Sequence, residues 1–298
     1  MTAETLLAAA CAQLREREPL SRHTSFGIGG PADYFADVVR LEELIALRRI
    51  ATEQKLPVFF IGAGSNLLIS DRGIRGLVIH LQGDFRSIDF KGFTVRVGAG
   101  TWMPVLAKQA AAQGLSGVEA MIGVPGTVGG GLIMNAGTRD GYMADVTTGV
   151  DVLTESGALN TLSAEHFGFA YRSSRLGAYW ITGATLTLKA SDAKTVQEKI
   201  DAIVQYRTRT QPLATSNCGS VFKNPEGKFA AQLIEEAGLK GYAIGGARVS
   251  ERHANFIINE KNATATDVRE LIRRIQARIR EKSGIQLEPE VKLVGEWS

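Results

Sequence analysis

Three short loops gather glycine beside small hydroxyl side chains: SFGIGGPA (Ser25 to Ala32), GAGSNLLISD (Gly62 to Asp71) and GVPGTVGGG (Gly123 to Gly131). Glycine makes up 33 of the 298 residues, well above the ~7% of an average chain. A backbone without Cβ turns tightly and lets a ligand approach closely. Successive N–H groups in such turns form concavities for phosphate, and Ser65, Asn66 and Thr127 add side-chain donors. Taken singly, each loop fits a tight turn between strands as well as it fits a ligand cradle. Three of them, each beside a hydroxyl, point to a ligand the size of a dinucleotide.

The common nucleotide folds do not fit these loops. Gly27 to Ala32 formally satisfies G-x-G-x-x-G/A, but no strand precedes it, Pro31 removes an N–H, and a strand follows instead of a helix. GAGSN follows a strand but lacks the third glycine and a helix behind it. There is no Walker A sequence. Any nucleotide is therefore held by a different fold.

Periodicity supplies the rest of the organisation. ADYFADV (32–38) alternates like a strand, and LEELIALRRIATEQ (41–54) places apolar residues at 41, 44, 45, 47 and 50, as a helix does. LPVFFIGAG (56–64) is a continuous apolar run, which predicts a buried parallel strand closing a strand–helix–strand unit. From Gly76 the texture changes. GLVIHL, FTVRVGAG and WITGATLTL read as short strands of a mixed or antiparallel sheet, with a helix at 101–115 stopped by Gly114. A further helix at 193–207 carries Val196, Ile200, Ile203 and Val204 on one face. The last third holds the helix KFAAQLIEEAGL, the glycine-rich YAIGGARVS and the strand HANFIIN. It also holds a helix opened by a Thr264/Asp267 capping box, with a stripe at 268, 271, 272, 275 and 279 and a stop at Gly284. IQLEPEVKLVGEW closes the chain as a strand interrupted by Pro289. The first 19 residues are expected to form an amphipathic helix.

Several function classes are excluded. With 34 basic and 31 acidic residues, net charge +3, nothing demands a nucleic acid or an anionic membrane as partner. Cys11 and Cys218 lie far apart and the four histidines are scattered, so no metal site or structural disulfide is expected, and a reducing cytoplasm fits. The charged N-terminal stretch is a poor secretory signal. No apolar run reaches the ~18 residues of a membrane span.

One stretch concentrates reactive groups: SNCGSVFKNP (216–225) holds two hydroxyls, a thiol, an ammonium and amides. HTSFGIGGPADYF, GAGSNLLISD, GVPGTVGGG followed by NAG, YRSS, CGSVFKNP and a terminal EPEV occur in this order. Together they resemble the UDP-N-acetylenolpyruvoylglucosamine reductase (MurB) family from about His23 to the C-terminus. Each motif is modest alone, and the ordered set is specific. Some members carry an extra loop with a substrate-binding tyrosine. AYRSSRLGAYWITGATL is too compact for it, so the resemblance is to the shorter, loop-less type.

The resemblance implies an α+β fold: an FAD-binding domain of the p-cresol methylhydroxylase / vanillyl-alcohol oxidase type (20–191, lobes about 20–80 and 81–191) and a substrate domain (192–298). It implies FAD and NADPH as cofactors. FAD is expected to be held noncovalently, since no histidine or cysteine lies in the glycine loops, by Gly62, Ala63, Gly64, Ser65, Asn66, Gly123, Pro125, Gly126, Thr127, Gly129 and Gly130. The implied reaction reduces UDP-N-acetylglucosamine enolpyruvate to UDP-N-acetylmuramate for peptidoglycan, and the enzyme is expected to be a cytoplasmic monomer with no metal, nucleic-acid or membrane partner. Hydride arriving at the β-carbon of an enolpyruvate leaves negative charge that needs fixed donors, and the α-carbon then needs an acid. On the family's pattern Arg172 meets the charge, Ser220 gives the proton, Glu290 shares in stabilising the enol, and Lys223 and Asn224 contact the diphosphate or sugar. Taken alone, these fit a surface arginine, a turn hydroxyl and a solvated glutamate. Cys218 reads as a small loop filler and His253 as a packed histidine. The alternatives are a flavin oxidase or dehydrogenase of the same superfamily, and a flavin- or nucleotide-sugar-binding module without catalysis.

Overall fold

The computed structural model describes residues 2–297, which separate into two compact units. The first contains the chain up to Arg15, Tyr34–Gly62 and Gly76–Tyr206. The second contains Glu16–Asp33, Ala63–Arg75 and the chain from Arg207 onward. Each has its own hydrophobic core. Compactness thus divides the chain discontinuously, and differently from a division by role near residue 191.

A sheet whose larger part falls in the first unit runs in the order Leu14–Pro19, Pro31–Val38, Ile74–Leu81, Val58–Ile61. Its Val58–Ile61 and Ile74–Leu81 strands are parallel, from Val58 opposite Leu77 to Ile61 opposite His80. The Leu41–Glu53 helix buries Leu44, Leu47 and Ile50, as its spacing predicts. Its buried Glu43 accepts from the N–H groups of Val39 and Arg40 at 2.9 and 3.3 Å, which satisfies donors the helix leaves open.

The N-terminal helix is shorter than expected. It covers Ala3–Ala10, and Leu14–Pro19 is strand. As a strand, LREREP delivers Arg15 to Asp37 at 2.7 Å, while Asp37 also receives His80 at 2.7 Å. These are long-range partners that no helical register reveals.

The second sheet of this unit is antiparallel throughout, ordered Leu159–Leu162, Thr147–Leu153, Trp180–Thr187, Thr94–Gly98, Ile88–Lys91. Thr94–Gly98 shows the logic: Val95 and Val97 are buried while Thr94 and Arg96 are exposed, the period of two that a strand with one covered face requires. The Met103–Ala112 helix ends before Gly114, which takes φ +65°. The Ala193–Thr210 helix buries only Val196 and Ile200. Val204, expected on the same face, is exposed.

The second unit packs Ala230–Glu236 and Ala265–Ser283 with a small antiparallel sheet of Ala243–Ile244, Ala247–Val249 and Ile257–Asn259. The Ala265–Ser283 helix follows its sequence closely. Thr264 Oγ1 accepts from Asp267 N at 3.0 Å, Thr264 N donates to Asp267 Oδ2 at 3.0 Å, and Gly284 takes φ +71°. A second cap was not legible. The Asp71 carboxylate accepts from Ala265 N (2.7 Å), Thr266 N (3.0 Å) and the Thr266 hydroxyl (2.7 Å). A carboxylate is well placed there because the helix N-terminus presents open donors and a partial positive charge. Near the C-terminus only Lys292–Val294 is strand, laid parallel to Leu67–Ile69.

Candidate active site

The glycine loops divide the work between close packing and hydrogen-bond donation. In the 123–131 stretch most of the backbone donors are already used. Gly126 N donates to Val124 O, Val128 N to Thr101 O, Gly129 N to Ala99 O and Gly131 N to Thr127 O, all at 2.8–2.9 Å. Gly130 N reaches Thr127 Oγ1 at 3.4 Å. Glycine is required here for space. A Cβ on Gly62 would stand 2.3 Å from Thr127 Oγ1, and one on Gly131 2.6 Å from Met103 Sδ. Gly123 is buried, and Pro125 is exposed.

The 63–66 loop is the reverse. Among the described residues no protein acceptor faces the N–H groups of Ala63, Gly64, Ser65 or Asn66, although the loop is buried or half-buried. A run of open donors away from bulk water calls for an acceptor, and the oxygens of a dinucleotide's diphosphate fit that need. The side chain of Asn66, expected to face the cofactor, donates to Glu290 O at 3.2 Å. Its contribution to the open donors is its backbone N–H. Gly64 lies at φ +59°, with a Cβ position 2.1 Å from His23 O. Gly64→Ala should therefore lower the melting temperature and release flavin during gel filtration. A left-handed non-glycine residue costs about 1–2 kcal/mol before any clash is counted. An alanine variant that keeps both its flavin and its melting temperature would contradict this account of the loop.

Arg172, in the first unit, sits in a tight turn closed by Ala170 N to Ser173 O (3.0 Å) and Ser173 N to Ala170 O (3.3 Å). Its φ is +56°, a conformation that costs a non-glycine residue energy and that persists where surrounding contacts enforce it. Those contacts come from the motif NAG. Asn135, itself left-handed at φ +42° where the Val128–Met134 helix ends, donates from Nδ2 to Ala170 O (3.1 Å) and accepts Ala144 N at Oδ1 (3.0 Å). Gly137 O accepts from Arg172 Nη1 at 2.9 Å. Ser174 Oγ adds a bond to Ile133 O at 2.9 Å. The guanidinium is thus aimed by a helix end. The sequence motif was visible, but this role was not.

Ser220 and Glu290, in the second unit, are brought together by backbone pairing. Glu290 N donates to Val221 O at 2.8 Å, and Lys223 N donates to Glu288 O at 2.9 Å. Between these rungs Phe222 bridges Pro289 antiparallel. The proline therefore occupies a pair that exchanges no hydrogen bonds, where its missing N–H costs nothing. Ser220 is half-buried, and its hydroxyl has no hydrogen-bond partner among the described residues. It follows Gly219, whose φ of +77° and bond to Asn217 Oδ1 (2.9 Å) set the turn.

The neighbours have defined tasks. Lys223 Nζ pairs with Glu288 Oε1 at 2.5 Å. Asn224 Oδ1 accepts Ala230 N at 3.0 Å and so caps the Ala230–Glu236 helix, leaving its Nδ2 to donate. Cys218 is buried, and burial pushes its thiol well above the ordinary range, with the Glu290 charge adding to the shift. Such a thiol is a packed group and not a nucleophile. His253 packs edge-on against Phe256 at 4.8 Å, and burial lowers its pKa. Among the described residues no cluster of His, Cys, Asp and Glu could hold a metal.

Residues 32–163 match the family described as FAD binding domain, and residues 211–294 match the UDP-N-acetylenolpyruvoylglucosamine reductase C-terminal domain. The chain is 47% identical over 285 residues to UDP-N-acetylenolpyruvoylglucosamine reductase 2 of Symbiobacterium thermophilum, covering 95% of this chain and 92% of that one. It superposes on the crystal structure of the reductase (MurB) from Thermus caldophilus with a TM-score of 0.83 and 41% identity, covering 94% of this chain and 99% of that one. A variant of Phl p 4, a glucose oxidase, shares the fold at a TM-score of 0.53 and 14% identity, over 72% of this chain and 51% of the other.

Proposed function

The chain belongs to the UDP-N-acetylenolpyruvoylglucosamine reductase family, and from that premise we propose that Arg172, Ser220 and Glu290 are its catalytic residues. In this reading residues 62–66 and 123–130 hold the cofactor, and Lys223 and Asn224 meet the substrate. The protein is an FAD-containing, NADPH-dependent oxidoreductase of peptidoglycan precursor synthesis, reducing UDP-N-acetylglucosamine enolpyruvate to UDP-N-acetylmuramate. The role assignment extends to the chain as a whole, with 20–191 serving the cofactor and 192–298 the substrate. It also extends to a monomeric, cytoplasmic enzyme without membrane insertion. Both cysteines are free, and no described helix is long and apolar enough to cross a membrane.

Bound FAD supplies the hydride that NADPH provides. The chain's own residues manage charge and proton. Arg172 offers a planar fork of donors to the substrate carboxylate and to the negative charge that develops beside it. Ser220 places a proton donor at the α-carbon. Because a serine hydroxyl is intrinsically a weak acid, Glu290 shares the task by stabilising the enol and relaying protons. The observation that carries this assignment is the pairing of Glu290 with Val221, which holds the carboxylate-bearing residue beside the segment that carries the open Ser220 hydroxyl.

The purified chain should be yellow and should oxidise NADPH only when the enolpyruvyl nucleotide sugar is added. Acid denaturation should release all the colour, as a noncovalent flavin requires. Rapid reoxidation by air with a small alcohol would establish the oxidase reading instead. A colourless protein, or one that binds the sugar without turnover, would establish a binding module.

A further inference from the structure

We propose that Asn255 is the positioning residue for Ser220, its side-chain amide serving as one rung of a backbone ladder. This inference rests on the catalytic role assigned to Ser220. Segment 221–222 is held from two sides. On one side lie the rungs to Glu288 and Glu290. On the other there is no second strand, and Asn255 takes that place. Its backbone O accepts from Val221 N at 2.9 Å. Its Oδ1 accepts from Phe222 N at 2.9 Å and its Nδ2 donates to Phe222 O at 2.8 Å. A side-chain amide has the acceptor and donor of a peptide unit, so these two bonds copy a strand pair within one residue.

Asn255 is only 4% exposed, so water does not replace these bonds if they are lost. The residue next to the ladder is Ser220, attached on its other side to Gly219 at φ +77°. Gly219 shapes the turn through its bond to Asn217 Oδ1, and the direction of the Ser220 hydroxyl is set from the other side, where Val221 N is tied to Asn255 O and Val221 O to Glu290 N. Cys218 and Phe222, both almost fully buried, anchor the flanks without fixing that direction. Losing the amide should therefore misplace the proton donor while leaving the flavin loop intact.

Asn255→Asp is the informative change because it keeps the shape. The carboxylate still accepts from Phe222 N but cannot donate to Phe222 O, and two oxygens then face each other. Protonating the Asp restores the donor, and its burial raises the pKa at which this happens. Flavin reduction by NADPH should match the parent in the holoenzyme. Reoxidation by the enolpyruvyl substrate should slow by about 10- to 100-fold at pH 8, the range expected for a buried rung left unpaired, and should recover toward pH 6 more steeply than the parent does. Amide hydrogen exchange should quicken at 221–222 and stay unchanged at 63–66. Equal losses in both half-reactions, or faster exchange throughout the unit, would reduce Asn255 to a structural residue and overturn the proposal, as would an unchanged second half-reaction. Should the Asp variant fold poorly, Asn255→Ser, which keeps the bond to Val221 N, is measured against the same outcomes. Ser220→Ala separates the two readings. If it is slow while Asn255→Asp is normal, positioning alone fails; if Ser220→Ala is itself normal, the serine assignment fails first.

Discussion

Ser220→Ala should bind FAD and accept hydride from NADPH nearly as the parent does, yet pass it to the enolpyruvyl substrate about 100- to 10,000-fold more slowly, the range for loss of a general acid. The selectivity follows from the structure. Among the described residues the hydroxyl has no hydrogen-bond partner, and its backbone neighbours carry the local pairing, so its removal leaves no buried partner unsatisfied. Stopped-flow traces of flavin absorbance measure the two half-reactions separately. Ser220→Cys should retain more activity than the alanine, because a thiol still donates a proton. Cys218→Ala should be close to neutral, since that thiol is buried and held in its neutral form. If Cys218→Ala abolished the second half-reaction and Ser220→Ala spared it, the proton donor would have been placed on the wrong residue of the right segment.

Arg172→Ala should lose about 100- to 1,000-fold in the same half-reaction, the cost of removing a donor aimed at developing charge. Flavin reduction should change little. The backbone strain is shared, because alanine and arginine meet the same φ of +56°, but the bond lost to Gly137 O is made by a charged group and is worth about 1.5–3 kcal/mol, so the melting temperature should fall modestly. Arg172→Lys should recover part of the activity, because it keeps the charge but not the planar fork. Equal losses in both half-reactions would place the guanidinium at the cofactor and not at the substrate.

What the sequence determined by itself is local. The Leu41–Glu53 and Ala265–Ser283 helices follow from apolar spacing, the capping box and a glycine stop, because those signals act within a few residues. The absence of a Rossmann loop, and with it the need for a different nucleotide-holding fold, was equally legible. So were the candidate residues Arg172, Ser220 and Glu290, though only through an ordered set of motifs and not from any one side chain. Tertiary structure decided which groups are already committed. Among the described residues most donors of 126–131 are used internally while those of 63–66 meet no protein acceptor, and Asn66 turns its amide to Glu290 O. Asn135 aims the turn that carries Arg172, Asp71 caps a helix some 190 residues away, and Asn255 replaces a missing strand. The strand at Leu14–Pro19 belongs to the same group. For Asn66, Asn135, Asp71, Asn255 and Arg15 the outcome depends on a hydrogen-bond or ion-pair partner distant in sequence. An amide or carboxylate carries no local sign of which backbone it will satisfy, whereas helical period and glycine geometry are written into neighbouring residues.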